Sequence, residues 1–124
     1  MLIISPAQRE ALSPAAYRAF ETRMLEHVGE LFPETVEALG ASACRGAIRH
    51  GIIRGREHGF VSERDLCKYI DLMFVFGRDF DSDPELPWVS PILRDGGQPS
   101  KIEALLQAAQ DHTADGEGLD HAPV

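Results

Sequence analysis

The chain has 124 residues, of which 44% are hydrophobic and 26% are charged, and this composition indicates one globular domain rather than a disordered segment. Its net charge of -8 argues against a global attraction to nucleic acid or to anionic membranes. No apolar run approaches the length of a membrane span, the short apolar start has no basic region, and two cysteines do not make a secreted disulfide framework. We therefore expect a soluble, reduced, cytoplasmic protein.

Serine, proline and glycine divide the chain into helical segments. Serine is a favoured N-cap, proline is tolerated at the first helical position, and glycine commonly ends a helix. On these signals we predict helices at Pro6–Leu12, from Pro14 to Phe32-Pro33, at Glu34–Leu39, at Ala43–His58 with Ser42 as its cap, at Glu63–Phe76, at Pro87–Leu93 and at Lys101–His112. Residues 113–124 are small, polar and acidic, and we expect them to form a disordered tail.

The helix predicted at Glu63–Phe76 should be the centre of the fold. Ser62 caps it, with Asp65 three residues further on as in a capping box. Its last five residues, Leu72–Phe76, are all apolar, and a helix that is apolar on every side is buried on most of its circumference. A strand is possible for Leu72–Phe76, but the capped run before it favours a helix.

Three glycines, Gly46, Gly51 and Gly55, lie inside the helix predicted at Ala43–His58. Each glycine inside a helix costs about 1 kcal/mol relative to alanine. The close approach of another helix, or of a partner's backbone, would give a physical reason for them.

Charge is unevenly distributed along the chain. Residues 1–40 carry a net charge of -3, residues 41–70 one of +3 and residues 71–124 one of -8. The basic middle either neutralises the acidic segments within the fold or forms a basic patch for a partner. Basic side chains on both sides of Gly59 are also compatible with a DNA-reading helix-turn-helix, but the second helix of that motif would be too apolar to lie exposed in a groove of DNA.

No pattern of catalytic or metal-binding residues meets the spacing that its chemistry requires. The alternating acids of Asp79–Glu85 lack the glycine and the glutamate that a calcium loop needs, so we expect a solvated turn there. Zinc sites use closely spaced ligand pairs, which Cys44, His50, His58 and Cys67 do not provide, so the two cysteines are interpreted as small buried thiols. We therefore predict no enzyme activity, no cofactor and no metal.

The chain carries an extended pattern that begins with Arg49-His50-Gly51-Ile52 and continues from Gly59 to Asp81 through SERD and YIDLMFVFG, then Pro87-Trp88 and Ile92-Leu93. Over about residues 2–110 it resembles a group of small bacterial proteins encoded in type VI secretion loci together with spike, PAAR-tip and toxin genes. The resemblance implies an accessory role, as an adaptor or chaperone for a secreted effector or as an immunity protein. It implies no active-site residues.

We thus predict a compact, orthogonal all-α bundle of about five helices around one central helix, forming a single domain at residues 1–112. The expected partner is a bacterial effector, toxin or secretion spike protein, with neither nucleic acid nor membrane bound, and glycine-lined helices leave a homodimer possible. The residues predicted to contact the partner are Arg45, Arg49, Arg56, Arg64 and Trp88. The acidic turn Asp79–Glu85 is the second choice of contact site.

Overall fold

The computed structural model describes residues 13–95 and 100–120, with side chains described as far as Thr113. Within these ranges the chain is all-α, as predicted, and no described helix is long and apolar enough to cross a membrane. The helix predicted at Pro6–Leu12 lies outside the described residues. The described helices are α1 (Pro14–Leu31), α2 (Pro33–Leu39), α3 (Ala41–Glu57), α4 (Glu63–Phe76), α5 (Val89–Arg94) and α6 (Lys101–Asp120), with a short 3-10 turn at Phe80–Ser82.

Two serine caps set the starts of α1 and α4. Ser13 Oγ accepts a hydrogen bond from Ala16 N–H at 3.1 Å, and Ser62 Oγ accepts one from Asp65 N–H at 3.0 Å. A cap of this kind satisfies a backbone donor that has no partner inside the helix. Both predicted caps are confirmed.

The short helix α2 meets α3 at Gly40, and the cap predicted at Ser42 is wrong. Gly40 has a φ of 88°, a conformation that other residues rarely adopt, and it ends α2 as predicted. Cys44 N–H donates to the Gly40 carbonyl oxygen at 3.0 Å, so the first turn of α3 closes with Ala41 already inside it. Ser42 therefore lies within the helix, and no side chain caps α3.

Helix α4 is central, as predicted, because it packs against α1, α3 and α6. Its buried side chains are Leu66, Tyr69, Ile70, Leu72 and Met73. Its last turn, predicted to be buried on most of its circumference, buries Leu72 and Met73, whereas Phe74 and Phe76 are partly buried and Val75 is 54% exposed. The reason is that the helices around α4 leave one side of this turn uncovered.

Helices α3 and α4 approach each other closely at two glycines. A methyl group on Gly51 would lie 2.7 Å from Ile70 Cγ1, and one on Gly55 would lie 2.8 Å from Leu66 Cδ2. Both distances are shorter than van der Waals contact, so this packing requires that neither position carry a side chain. The approach of another helix thus explains Gly51 and Gly55, whereas Gly46 faces open space.

The acidic segment after α4 is not the solvated turn that its sequence predicts. Gly77, with a φ of 122°, ends α4, and the 3-10 turn that follows buries Phe80 and Asp81. The ring of Phe80 packs beside that of Tyr69, with centroids 5.1 Å apart. Because Phe80 anchors the turn in the core, the neighbouring Asp81 is carried into the interior, where a carboxylate needs hydrogen-bonding or charged partners.

The last two helices close the bundle, since α6 packs against both α4 and α5. Helix α5 begins at Val89, two residues after the predicted start at Pro87. Of the four residues of α6 predicted to face inwards, Ile102, Leu105 and Ala109 are buried, and Leu106 is partly buried against the core. It continues past the predicted end at His112 to Asp120, through most of the segment predicted as a tail, while residues 121–124 lie outside the described range.

Replacing Gly51 by alanine should lower the free energy of unfolding by about 1 kcal/mol. Alanine gains about 1 kcal/mol of helix propensity, but its methyl group must displace the stiff, fully buried side chain of Ile70, and such overpacking costs about 1–3 kcal/mol. Gly46→Ala is the matched control in the same helix, and there the free energy of unfolding should rise by about 0.5–1 kcal/mol. Urea denaturation measures both, and equal stability of the two variants would contradict the close packing of α3 on α4.

Candidate functional site

Two of the arginines predicted to bind a partner hold a buried carboxylate of the chain itself. Glu21 on α1 is only 2% exposed. Arg49 Nε donates to Glu21 Oε2 at 2.6 Å, and Arg45 Nη1 donates to Oε1 at 3.1 Å. The hydrogen bond from Arg49 lowers the pKa of Glu21, although burial alone would raise it. Arg45 and Arg49 therefore join α3 to α1 and have an internal partner before any other protein is bound.

Asp81 is the second buried carboxylate, and its side chain is fully inaccessible. Arg54 donates to Asp81 Oδ2 through Nη2 and, at 2.9 Å, through Nε, and His58 Nε2 lies 2.8 Å from the same oxygen. Burial raises the pKa of Asp81, but the hydrogen bonds from His58 and Arg54 outweigh it and the net pKa is below its usual value. Burial, and then the charge of Asp81, raise the pKa of the neighbouring Tyr69.

Further pairs connect the basic middle of the chain to its acidic C-terminal half. Arg64 Nη2 donates to Glu103 Oε2 at 2.8 Å and joins α4 to α6, and His50 Nε2 lies 3.2 Å from Asp79 Oδ1. Together with the pairs on Asp81, these contacts support the first interpretation of the charge pattern. The basic segment 41–70 largely neutralises acids of the same fold.

Of the other three residues predicted to contact a partner, Arg64 and Trp88 lie far apart. Arg56 on α3 is partly exposed and makes no ion pair with the described residues. Trp88 packs on the C-terminal end of α4, where its ring meets that of Phe76 edge-on with centroids 5.5 Å apart. Arg64 lies at the other end of α4, about 18 Å away by the rise of the helix. Trp88 and Arg64 therefore do not belong to one contact surface.

An open apolar groove lies between α2, α3 and α4, with a volume of about 310 Å³. The sequence does not predict it, because the wholly apolar run Leu72–Phe76 indicates a buried core segment. None of the residues predicted to contact a partner lines this groove. Its lining residues are Thr35, Leu39, Ala43, Ala47, Met73, Phe74 and Arg78.

Three large apolar side chains are exposed on α1, α2 and α4. Leu39, which lines the groove, is 50% exposed, and Leu31 and Val75 are 53% and 54% exposed. Leu31 and Val75 are the chain neighbours of Phe32 and Phe74, whose rings stack with centroids 5.6 Å apart. An open apolar groove with a half-exposed leucine in its wall is typical of an interaction site.

A separate polar cluster joins α1 to α4. His27 Nε2 lies 2.8 Å and 3.0 Å from the two carboxylate oxygens of Asp71, and Cys67 Sγ lies within 4.8 Å of both groups. Burial, and then the charge of Asp71, raise the pKa of the Cys67 thiol. The cluster therefore brings an imidazole, a thiol and a carboxylate together on two helices.

The structure does not bring together the four residues that the sequence offered as zinc ligands. These residues are Cys44, His50, His58 and Cys67. Cys44 is a fully buried free thiol, and the two histidines face Asp79 and Asp81. Within the described part of the chain, Cys67 is the only one of these four residues that belongs to a group of three side chains able to bind a metal ion. The spacing of Cys67 and Asp71 on one helix face was a signal in the sequence, but no pattern could have paired them with the distant His27.

No model of a known protein family matches the chain, and neither a curated protein nor a solved structure matches it.

Replacing Asp81 by asparagine should lower the free energy of unfolding by about 3 kcal/mol at pH 7, because it leaves the Arg54 guanidinium without its buried counter-charge and removes the carboxylate oxygen that His58 contacts. Asp79→Asn is the matched control, since that carboxylate is 69% exposed and exposed ion pairs contribute less than about 1 kcal/mol. Urea denaturation measures both losses. Equal losses in the two variants would contradict the structural role of the buried carboxylate.

The stability that Asp81 supplies should also depend on pH. Because its pKa is lowered in the folded state, the contribution is complete above the unfolded pKa of about 4 and is lost as the pH falls through the lower folded pKa. The difference in unfolding free energy between wild type and Asp81→Asn should therefore shrink as the pH falls below about 4. A difference that stayed constant down to about pH 2 would refute the lowered pKa.

Proposed function

We propose that this protein is a cytoplasmic accessory protein of a bacterial type VI secretion system and that it binds a secreted effector as an adaptor or chaperone. The observation that supports protein binding is the open apolar groove between α2, α3 and α4. Apolar surface in such a groove is stabilised when a partner covers it. The assignment to a secretion system is supported by the sequence resemblance over about residues 2–110.

The groove fits an amphipathic helix of the partner. Its walls are three helices, and its volume of about 310 Å³ leaves room for a few large apolar side chains, as in other helix-in-groove complexes. Arg78 is an exposed, charged lining residue that makes no ion pair with the described residues. Charge complementarity therefore favours a helix that carries an acidic residue next to its apolar face.

The groove takes precedence over the arginine face that the sequence favoured. Recruiting Arg45 or Arg49 to a partner would leave the buried Glu21 with less counter-charge, and a buried unpaired carboxylate is costly. Covering Leu39 and Phe74 carries no such cost, because both side chains are apolar and partly exposed.

The two alternatives to an adaptor or chaperone are an immunity protein and a DNA-binding regulator. An immunity protein would use the same groove to bind and neutralise a toxin. A helix-turn-helix regulator would have to place α4 in a groove of DNA, but α4 buries five of its side chains in the core. The arginines Arg45, Arg49, Arg54 and Arg64 are also paired with carboxylates, which leaves them less available to phosphate. We therefore favour protein binding over DNA binding.

Binding of the effector encoded in the same locus should depend on the groove. Leu39→Asp puts a charge on its apolar wall, and Arg78→Glu reverses its charge; both residues are exposed, so the fold should be retained. Each change should weaken binding at least about tenfold, or about 1.4 kcal/mol. Ile53→Asp is the matched control, because Ile53 is 54% exposed on α3 and does not line the groove. Isothermal titration calorimetry with the purified effector measures the affinities, and thermal melts check the fold.

The outcomes separate the proposed roles. If all three variants bind as wild type does, or all three are weakened equally, the groove is not the binding site. If wild type binds no effector or toxin of its locus, the secretion role is refuted. If co-expression raises the yield of soluble effector without protecting cells from it, the protein is a chaperone or adaptor. Protection by wild type but not by Leu39→Asp would identify an immunity protein that uses the same groove.

A further inference from the structure

The cluster of His27, Cys67 and Asp71 lies apart from the proposed binding groove, and the two share no residue. Cys67 and Asp71 are four residues apart and lie on the same face of α4, which faces His27 on α1. One turn before Cys67 on that face, Glu63 is paired with Arg23 of α1. The two helices are thus joined on both sides of the Cys67 thiol.

The three side chains offer the donor atoms that zinc prefers. Imidazole nitrogen, thiolate sulfur and carboxylate oxygen bind Zn²⁺ with bonds of about 2.0–2.3 Å, so ligand atoms in a tetrahedral site lie about 3–4 Å from one another. His27 Nε2 and Asp71 Oδ1 are 2.8 Å apart, and Cys67 Sγ completes a group within 4.8 Å. Small side-chain rotations would therefore bring the three donor atoms to bonding distance of one ion.

We propose that His27, Cys67 and Asp71 form a binding site for a divalent metal ion of the zinc class that bridges α1 and α4. With three protein ligands, the fourth position is left to water or to an exogenous ligand. A cavity of about 290 Å³ beside the cluster offers room for this fourth ligand. Its lining residues are Phe20, Arg23, Met24, His27, Glu63, Arg64 and Cys67. The side chains of His27 and Asp71 are 34% and 26% exposed, which gives an ion access from solvent.

The competing explanation is a simple ion pair between His27 and Asp71. Such a pair explains the short contacts between imidazole and carboxylate, but it has no use for Cys67, whose thiol makes no hydrogen bond with the described residues. Metal binding, in contrast, requires the thiol, which loses its proton to solvent as the bond to the metal forms. Dependence on Cys67 therefore distinguishes the two explanations.

Cobalt(II) is a suitable probe, because it takes zinc ligands and its bond to a thiolate gives a charge-transfer absorption that the zinc complex lacks. Titration of the reduced, metal-free full chain with Co²⁺ should give this absorption with a stoichiometry of one ion per chain. An excess of Zn²⁺ should abolish it. Cys67→Ser should abolish the charge-transfer absorption and weaken Zn²⁺ binding at least about tenfold, because even a change to an outer-shell partner of a zinc ligand costs about 10–100-fold. Cys44→Ala is the matched control, since it removes the other thiol, and the absorption should persist.

A second measurement keeps the proposal testable if a cysteine variant folds poorly. Zn²⁺ should raise the thermal midpoint of wild type, because an ion that binds only the folded state stabilises it. His27→Gln keeps a side chain that can donate to Asp71 but removes the imidazole ligand, and it should lose this shift. The proposal is overturned if wild type shows no cobalt–thiolate absorption, or if the absorption or the zinc-induced shift is unchanged in Cys67→Ser and His27→Gln. Neither result bears on effector binding by the groove.

Discussion

The close packing of α3 on α4 is the constraint on which the rest of the structure depends. Gly51 and Gly55 let the backbone of α3 approach the side chains of Ile70 and Leu66 within distances that a methyl group would obstruct. With α3 fixed on one side, α1 and α6 pack against other sides of α4. The surface that these helices leave uncovered at the C-terminal end of α4 forms one wall of the groove. The surface of α4 that α1 covers carries Cys67 and Asp71, which meet His27 there.

Two buried carboxylates add specificity to this apolar packing. Glu21 ties α1 to α3, and Asp81 ties the turn after α4 to α3, so the arginines of α3 are held from two directions. Carboxylates that are buried and paired in this way contribute little net stability over apolar contacts, but breaking one pair is costly. The basic character of segment 41–70 is therefore largely structural, which explains why an arginine-rich helix in an acidic protein need not be a nucleic-acid site.

The two proposals place different chemistry on different parts of α4. The groove offers apolar surface from Met73 and Phe74 next to Arg78, which has no ion pair within the described part of the chain, and this combination suits a partner helix. The cluster offers three donor atoms that converge from α1 and α4, a combination that suits an ion. Since a metal ion would hold α1 against α4 and the groove is built from α2, α3 and α4, each property can be tested without disturbing the other.

The sequence by itself determined the all-α class, the central position of α4, and the helix limits set by Ser13, Ser62 and Gly40, because caps and glycine conformations act within a few residues of the chain. It also indicated that something approaches the glycines of α3 closely, either another helix or a partner, and the structure shows the first of these at Gly51 and Gly55. The sequence could not determine that Asp81 is buried, because the neighbouring Phe80 carries it into a core built from distant segments. The groove and the pairing of His27 with Asp71 were decided in the same way by tertiary structure alone, since local patterns do not encode which helix covers which face.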